Sequence, residues 1–190
     1  MKFIKMYQQA SDWLTSNLGD LPLLLIRILL AYAFFGPAME KWANMEATIA
    51  WFGNPDWGLG LPFPELNAYM AASVEIVGVV LLVLGLGSRL ISIPLIFVML
   101  MAYFTVHIDH GWLAIASSSA DLGVAERLGL VREILKEHGN YSWLTEKGSL
   151  VVLQNGAEFV VTYIVMLLSL ISFGSGRISL DYLLSKKLKA

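Results

Sequence analysis

The sequence contains no cysteine, six prolines, and charged residues at only 15% of its 190 positions. Without cysteine it forms no disulfide, thiolate metal site or thiol nucleophile, so any redox chemistry must use a bound cofactor or a partner's sulfur. Soluble domains carry about 25% charged and about 45–50% apolar residues. Here the apolar share is 57% and the mean hydropathy is +0.66, which excludes an ordinary soluble domain. The 6 Trp, 7 Tyr and 9 Phe exclude a disordered tail, and a formal charge of -2 gives no electrostatic basis for binding nucleic acid.

What the sequence does have is long apolar runs. Leu21–Met39, Ala68–Leu86, Leu90–His107 and Leu153–Phe173 each approach the roughly 20 residues that a helix needs to cross a hydrocarbon core of ~30 Å. The pattern predicts an all-α integral membrane protein, a four-helix bundle forming one domain over residues 1–190, with external loops at 40–67 and 108–152. Ala31-Tyr32-Ala33 mimics a signal-peptide cleavage site, but the long polar lead and Arg27 in mid-run identify the first stretch as a span. Leu86-Gly87-Ser88-Arg89 is too short for anything but a tight antiparallel hairpin between spans two and three.

Lys2, Lys5, Arg89, Arg177, Lys186, Lys187 and Lys189 fall on one side of this topology. Lys41, Arg127, Arg132, Lys136 and Lys147 are spread through the longer loops of the other. The bias places both termini in the cytoplasm. All six Trp lie outside the runs or at their ends, as in an interfacial aromatic belt. Asp121–His138 carries Leu128, Val131, Ile134 and Leu135 on one side of a helix stopped by Gly139, and is expected to lie on the outer membrane surface. Glu40–Trp51, with Met45, Ile49 and Phe52 at helical spacing, is expected to dip into the same interface.

A charge at the centre of a lipid-embedded helix costs at least ~2.5–3.5 kcal/mol, so Arg27, Glu75 and Glu158 are functional candidates. Each lies on a stripe of small or polar residues: Arg27-Ala31-Phe34-Ala38, Ala71-Glu75-Gly78-Leu82-Gly85, and Glu158-Thr162-Val165-Ser169-Ser172. Those stripes should face the bundle interior. They predict an Arg27–Glu75 pair, with Arg27 snorkelling alone as the alternative; such a pair serves either structure or catalysis.

At the outer end of span three, Tyr103, His107 and His110 share a face if the helix continues, with Asp109 and Trp112 adjoining. Together with Glu158 or Glu40 they can surround a metal, a haem edge or a quinone head group. His107, Asp109 and His110 are the candidate metal ligands, and Tyr103, His107, His110 and Trp112 the candidate cofactor contacts. The bland reading is that each His bonds a loop carbonyl or water. Glu75, Arg27, His107 and Glu158 are the candidate catalytic groups, since a buried carboxylate and an exit imidazole can move protons for a quinone.

Several motifs are fairly specific. Arg27 stands early in span one, and Phe35-Gly36-Pro37-Ala38-Met39-Glu40-Lys41-Trp42 ends it. Glu75-Ile76-Val77-Gly78 runs on to Leu84-Gly85-Leu86-Gly87-Ser88-Arg89, and Gly174-Ser175-Gly176-Arg177-Ile178-Ser179-Leu180-Asp181 closes the chain's last span. With these the sequence resembles the DoxX-like family of small four-helix membrane proteins, related to the small subunit of thiosulfate:quinone oxidoreductase. The resemblance implies a bacterial or archaeal cytoplasmic (inner) membrane and a redox accessory role, binding a quinone or a metal or haem cofactor and relaying electrons or protons for a membrane or periplasmic partner enzyme. Two other readings stand beside it. One is a small transporter or export helper for a metal, thiol compound or modified peptide, which at this size requires a homodimer; the other is an assembly scaffold.

Overall fold

The computed structural model describes residues 2–117 and 122–188, and it is built almost entirely of helices. In chain order these are α1 (Lys2–Leu18), α2 (Asp20–Ala43), α3 (Met45–Gly53), α4 (Pro64–Leu84) and α5 (Ser88–Ala102), followed by a π-helical turn at Tyr103–His107 and a 3-10 turn at Ile108–His110. After them come α6 (Leu122–His138), α7 (Tyr141–Leu144), α8 (Glu158–Phe173) and α9 (Leu180–Leu188). A two-residue strand β1 (Ile115–Ala116) pairs antiparallel with β2 (Val152–Leu153).

Among the described residues, three helices are long and apolar enough to cross a membrane: α2, α4 and the continuous stretch Ser88–His110. Their outward side chains, among them Leu29, Tyr32, Val80, Ile93 and Phe97, are apolar and exposed, as contact with lipid requires. The last apolar run differs from the sequence expectation. Leu153 lies in β2 and is exposed, and the helix begins only at Glu158, leaving 16 residues, or about 24 Å at ~1.5 Å per residue. Gln154-Asn155-Gly156 makes the break. Asn155 adopts a left-handed φ of 59°, and a Cβ on Gly156 would meet the Leu113 carbonyl at 2.5 Å.

The chain forms two compact units, one of residues 1–101 and 163–190, the other Ala102–Thr162. In the first, α2 packs on α4. The buried face of α2 is Arg27, Leu30, Ala31, Phe34 and Ala38, and that of α4 is Ala68, Ala72, Glu75, Gly78 and Leu82, both at helical spacing. Small residues bring the backbones together: a Cβ on Gly78 would sit 3.0 Å from the Leu95 side chain of α5. α4 ends in a Schellman motif. Gly85 at φ 64° donates its N–H to Leu82 O, and Leu86 donates to Leu81 O.

In the second unit, residues 111–114 zip against 154–158. Ala157 N–H bonds Gly111 O, Glu158 N–H bonds Trp112 O, and Gly156 N–H bonds Leu113 O. α6 buries Leu128 and half-buries Leu135 but exposes Val131 and Ile134. Gly139 ends it by donating to Leu135 O. Asp121, the expected start of this helix, lies outside the described residues.

Candidate functional site

Arg27 and Glu75 are both buried, as their stripes require, but they do not pair. The partner of Glu75 is Lys41, whose ammonium donates to Oε2 at 2.8 Å and to Oε1 at 3.0 Å. The geometry follows from helix period. Counting on from Arg27, Ala31, Phe34 and Ala38 in steps of three and four reaches Lys41, on the last turn of α2 and facing α4. Nearby, Trp42 Nε1 donates to Ala72 O at 3.3 Å, and its ring meets Tyr69 edge-on at 6.0 Å.

The pair is asymmetric. The Glu75 side chain is 3% exposed and that of Lys41 20%. Lys41 reaches an open cleft of about 330 Å³ lined by Pro37, Glu40, Lys41, Asn44, Ala47, Thr48 and Trp51. Asn44 shapes this cleft: its N–H bonds Glu40 O to end α2, and its carbonyl accepts from Thr48 N–H in the first turn of α3. The cleft lining therefore joins one carboxylate, one ammonium, an amide, a hydroxyl and an indole ring, and the buried Glu75 carboxylate connects to it through Lys41.

Arg27 is committed elsewhere. Its Nη1 donates to Leu82 O at 3.2 Å, closing the carbonyl end of α4, and its Nη2 donates to Ile178 O. Asp181 supplies the nearby negative charge. The Asp181 carboxylate accepts from Gly87 N–H at 2.8 Å, Ser88 N–H at 3.3 Å and Ser175 Oγ at 3.0 Å, capping α5 from across the chain. The two glycine-serine motifs noted in the sequence thus meet around Arg27. Gly85 is where they touch, since a Cβ there would lie 2.0 Å from Arg27 Nη1 and 2.6 Å from Ser179 Cβ.

The remaining candidates, Tyr103, His107, Asp109, His110, Trp112 and Glu158, all belong to the second unit. The π-helical turn ends the regular helical register at Tyr103, so the face expected to unite Tyr103, His107 and His110 is not continued. His107 Nδ1 donates to Asn155 O at 2.7 Å and His110 Nδ1 to Val106 O at 2.8 Å, because a carbonyl only accepts. Glu158 Oε2 accepts from Ala114 N–H at 3.2 Å, and Asp109 and Trp112 are exposed. Among the described residues no group of three or more His, Asp or Glu is arranged around a metal position, so His107, Asp109 and His110 do not form the expected ligand set.

Lys41 and Asp181 are the polar residues that sequence reasoning missed as partners. Lys41 had a signal in the extended stripe from Arg27. Asp181 had none beyond its place at the end of a motif.

These features define a helical membrane protein whose α2 and α4 enclose an ion pair beside a polar cleft. Residues 22–108 match the DoxX family model. The chain is 25% identical over 168 residues to a Haemophilus influenzae protein named only "Uncharacterized protein", covering 86% of this chain and 83% of the relative. It is 34% identical over 83 residues to the Bacillus subtilis protein named "Putative oxidoreductase CatD", covering 44% of this chain and 58% of that relative. No solved structure matches the chain.

Proposed function

We propose that this protein is an inner-membrane redox accessory that takes a quinone head group into the cleft beside Lys41 and exchanges protons with it, while a membrane or periplasmic partner enzyme supplies or withdraws the electrons. The observation that carries this reading is the Lys41–Glu75 pair, buried on the Glu75 side and open to the cleft on the Lys41 side. A quinone supplies a ring that takes up electrons together with protons. Glu75 holds a proton-accepting carboxylate out of bulk water, Lys41 carries charge between it and the cleft, and Asn44 and Thr48 offer polar contacts to head-group oxygens. Trp51 offers an aromatic wall. The oxidoreductase name of the Bacillus subtilis relative supports a redox setting.

In this reading α8 is the fourth crossing, both termini are cytoplasmic, and the cleft lies toward the outer surface. His107 and Glu158 serve as proton-exchanging groups of the second unit, with His107 Nε2 left as the acceptor nitrogen once Nδ1–H is bonded to Asn155. Arg27 holds structure, as its backbone-carbonyl partners favour.

Titration of a short-tailed quinone into the protein in lipid nanodiscs tests the proposal. Saturable binding is expected, weakened at least about tenfold, or ~1.4 kcal/mol, by Glu75→Gln and by Lys41→Met in folded protein. Unchanged affinity in both folded variants removes the pair from the site.

A further inference from the structure

We infer that the apolar face of α1 docks on a lipid surface bearing anionic head groups. Phe3, Tyr7, Ala10, Leu14 and Leu18 recur at intervals of three and four along one face of this 17-residue helix, and Ile4, Met6 and Trp13 widen it to about half the circumference. No residue of α1 is buried; Phe3 is 81% exposed and Tyr7 69%. The opposite face carries Lys5, Gln9, Asp12 and Ser16. A helix with an apolar half this large, left bare by the rest of the described chain, requires an apolar surface from outside it.

Four observations identify that surface as lipid. Only Gly19 separates α1 from α2, a helix able to cross the membrane, so the apolar face starts at the membrane boundary. The junction is pinned: Arg177 donates to the Asp20 carboxylate through Nε and through its backbone N–H, and to Ser16 O through Nη2 at 2.6 Å. Charge at this end is basic. Lys2 and Lys5 stand on α1, Lys186 and Lys187 on the last turn of α9, and Asp20 is already neutralised by Arg177. Tyr7 and Trp13 add the amphipathic rings favoured at head-group depth. An apolar face flanked by lysines matches an interfacial helix on an anionic leaflet.

The absence of native cysteine makes the test clean. Leu14→Cys, Tyr7→Cys and Asp12→Cys are each labelled with an environment-sensitive fluorophore in the full chain. The labelled proteins are reconstituted into phosphatidylcholine nanodiscs with and without phosphatidylglycerol. The labels at residues 14 and 7 are expected to be quenched at least about twofold more by a lipid-borne quencher than the label at residue 12, with the contrast rising when phosphatidylglycerol is present. Equal access of a water-soluble quencher to all three labels overturns the inference. So does shielding of residues 7 and 14 from both quenchers, which would mean that a second copy or another protein covers the face. Using two positions on the face protects the result against a local defect in either variant.

Discussion

Lys41 and Glu75, on α2 and α4, place an ammonium 2.8 Å and 3.0 Å from the two oxygens of one carboxylate that is almost wholly buried. Removing the lysine strands a charge in an apolar setting. Removing the glutamate strands one that can still reach the cleft.

The two single variants should therefore differ. Lys41→Met is expected to lose about 3–5 kcal/mol of folding stability and Glu75→Gln clearly less, while the double variant recovers most of the Lys41→Met loss. Unfolding of the four proteins in the same detergent measures this cycle. Simple addition of the two losses would show that the residues do not act as a pair.

Gly85 and Gly87 both adopt positive φ, at 64° and 59°, but only at Gly85 would an added Cβ meet neighbouring side chains. Gly87→Ala should cost about 1–2 kcal/mol, the backbone penalty alone. Gly85→Ala adds a collision with Arg27 and Ser179 and is expected to abolish the folded protein or cost several-fold more. Thermal melting of the two variants distinguishes them, and equal losses would contradict the placement of Arg27.

Asp181 satisfies the first N–H groups of α5 and faces Arg27. Asp181→Ala leaves those donors and Ser175 without their acceptor, at about 1–3 kcal/mol per buried group. Asp181→Asn keeps one acceptor oxygen and should fall between the alanine variant and the parent in chemical unfolding. An alanine variant as stable as the parent would rule out the capping role.

Asn155 holds φ at 59° where its carbonyl receives His107. Asn155→Gly should be neutral or stabilising, and Asn155→Val should lose about 1–2 kcal/mol or more, because a β-branched side chain resists the left-handed region. Melting temperatures check both. Tolerance of valine would mean that the turn is not held in this form.

The sequence made the helical membrane class legible through apolar runs, and the burial of Arg27 and Glu75 through small-residue stripes. Their partners were not legible. Ending the first run at Met39 assigned Lys41 to a loop, although α2 continues to Ala43 and Lys41 completes the stripe. Asp181 reaches Gly87 across 94 positions and Asn155 reaches His107 across 48, separations that no local pattern reports. At the start of the fourth run, Leu153 reads as apolar and so as span, whereas it lies in β2 and the backbone requirements of Gln154-Asn155-Gly156 delay the helix to Glu158.

Photoaffinity labelling with an azido-quinone in nanodiscs, mapped by mass spectrometry, tests the central claim most directly. Label on the Pro37–Trp51 segment, displaced by excess unmodified quinone and lost in Lys41→Met protein that remains folded, is the expected result. Label confined to other segments, or undiminished by competing quinone, would contradict a quinone site beside Lys41 and Glu75.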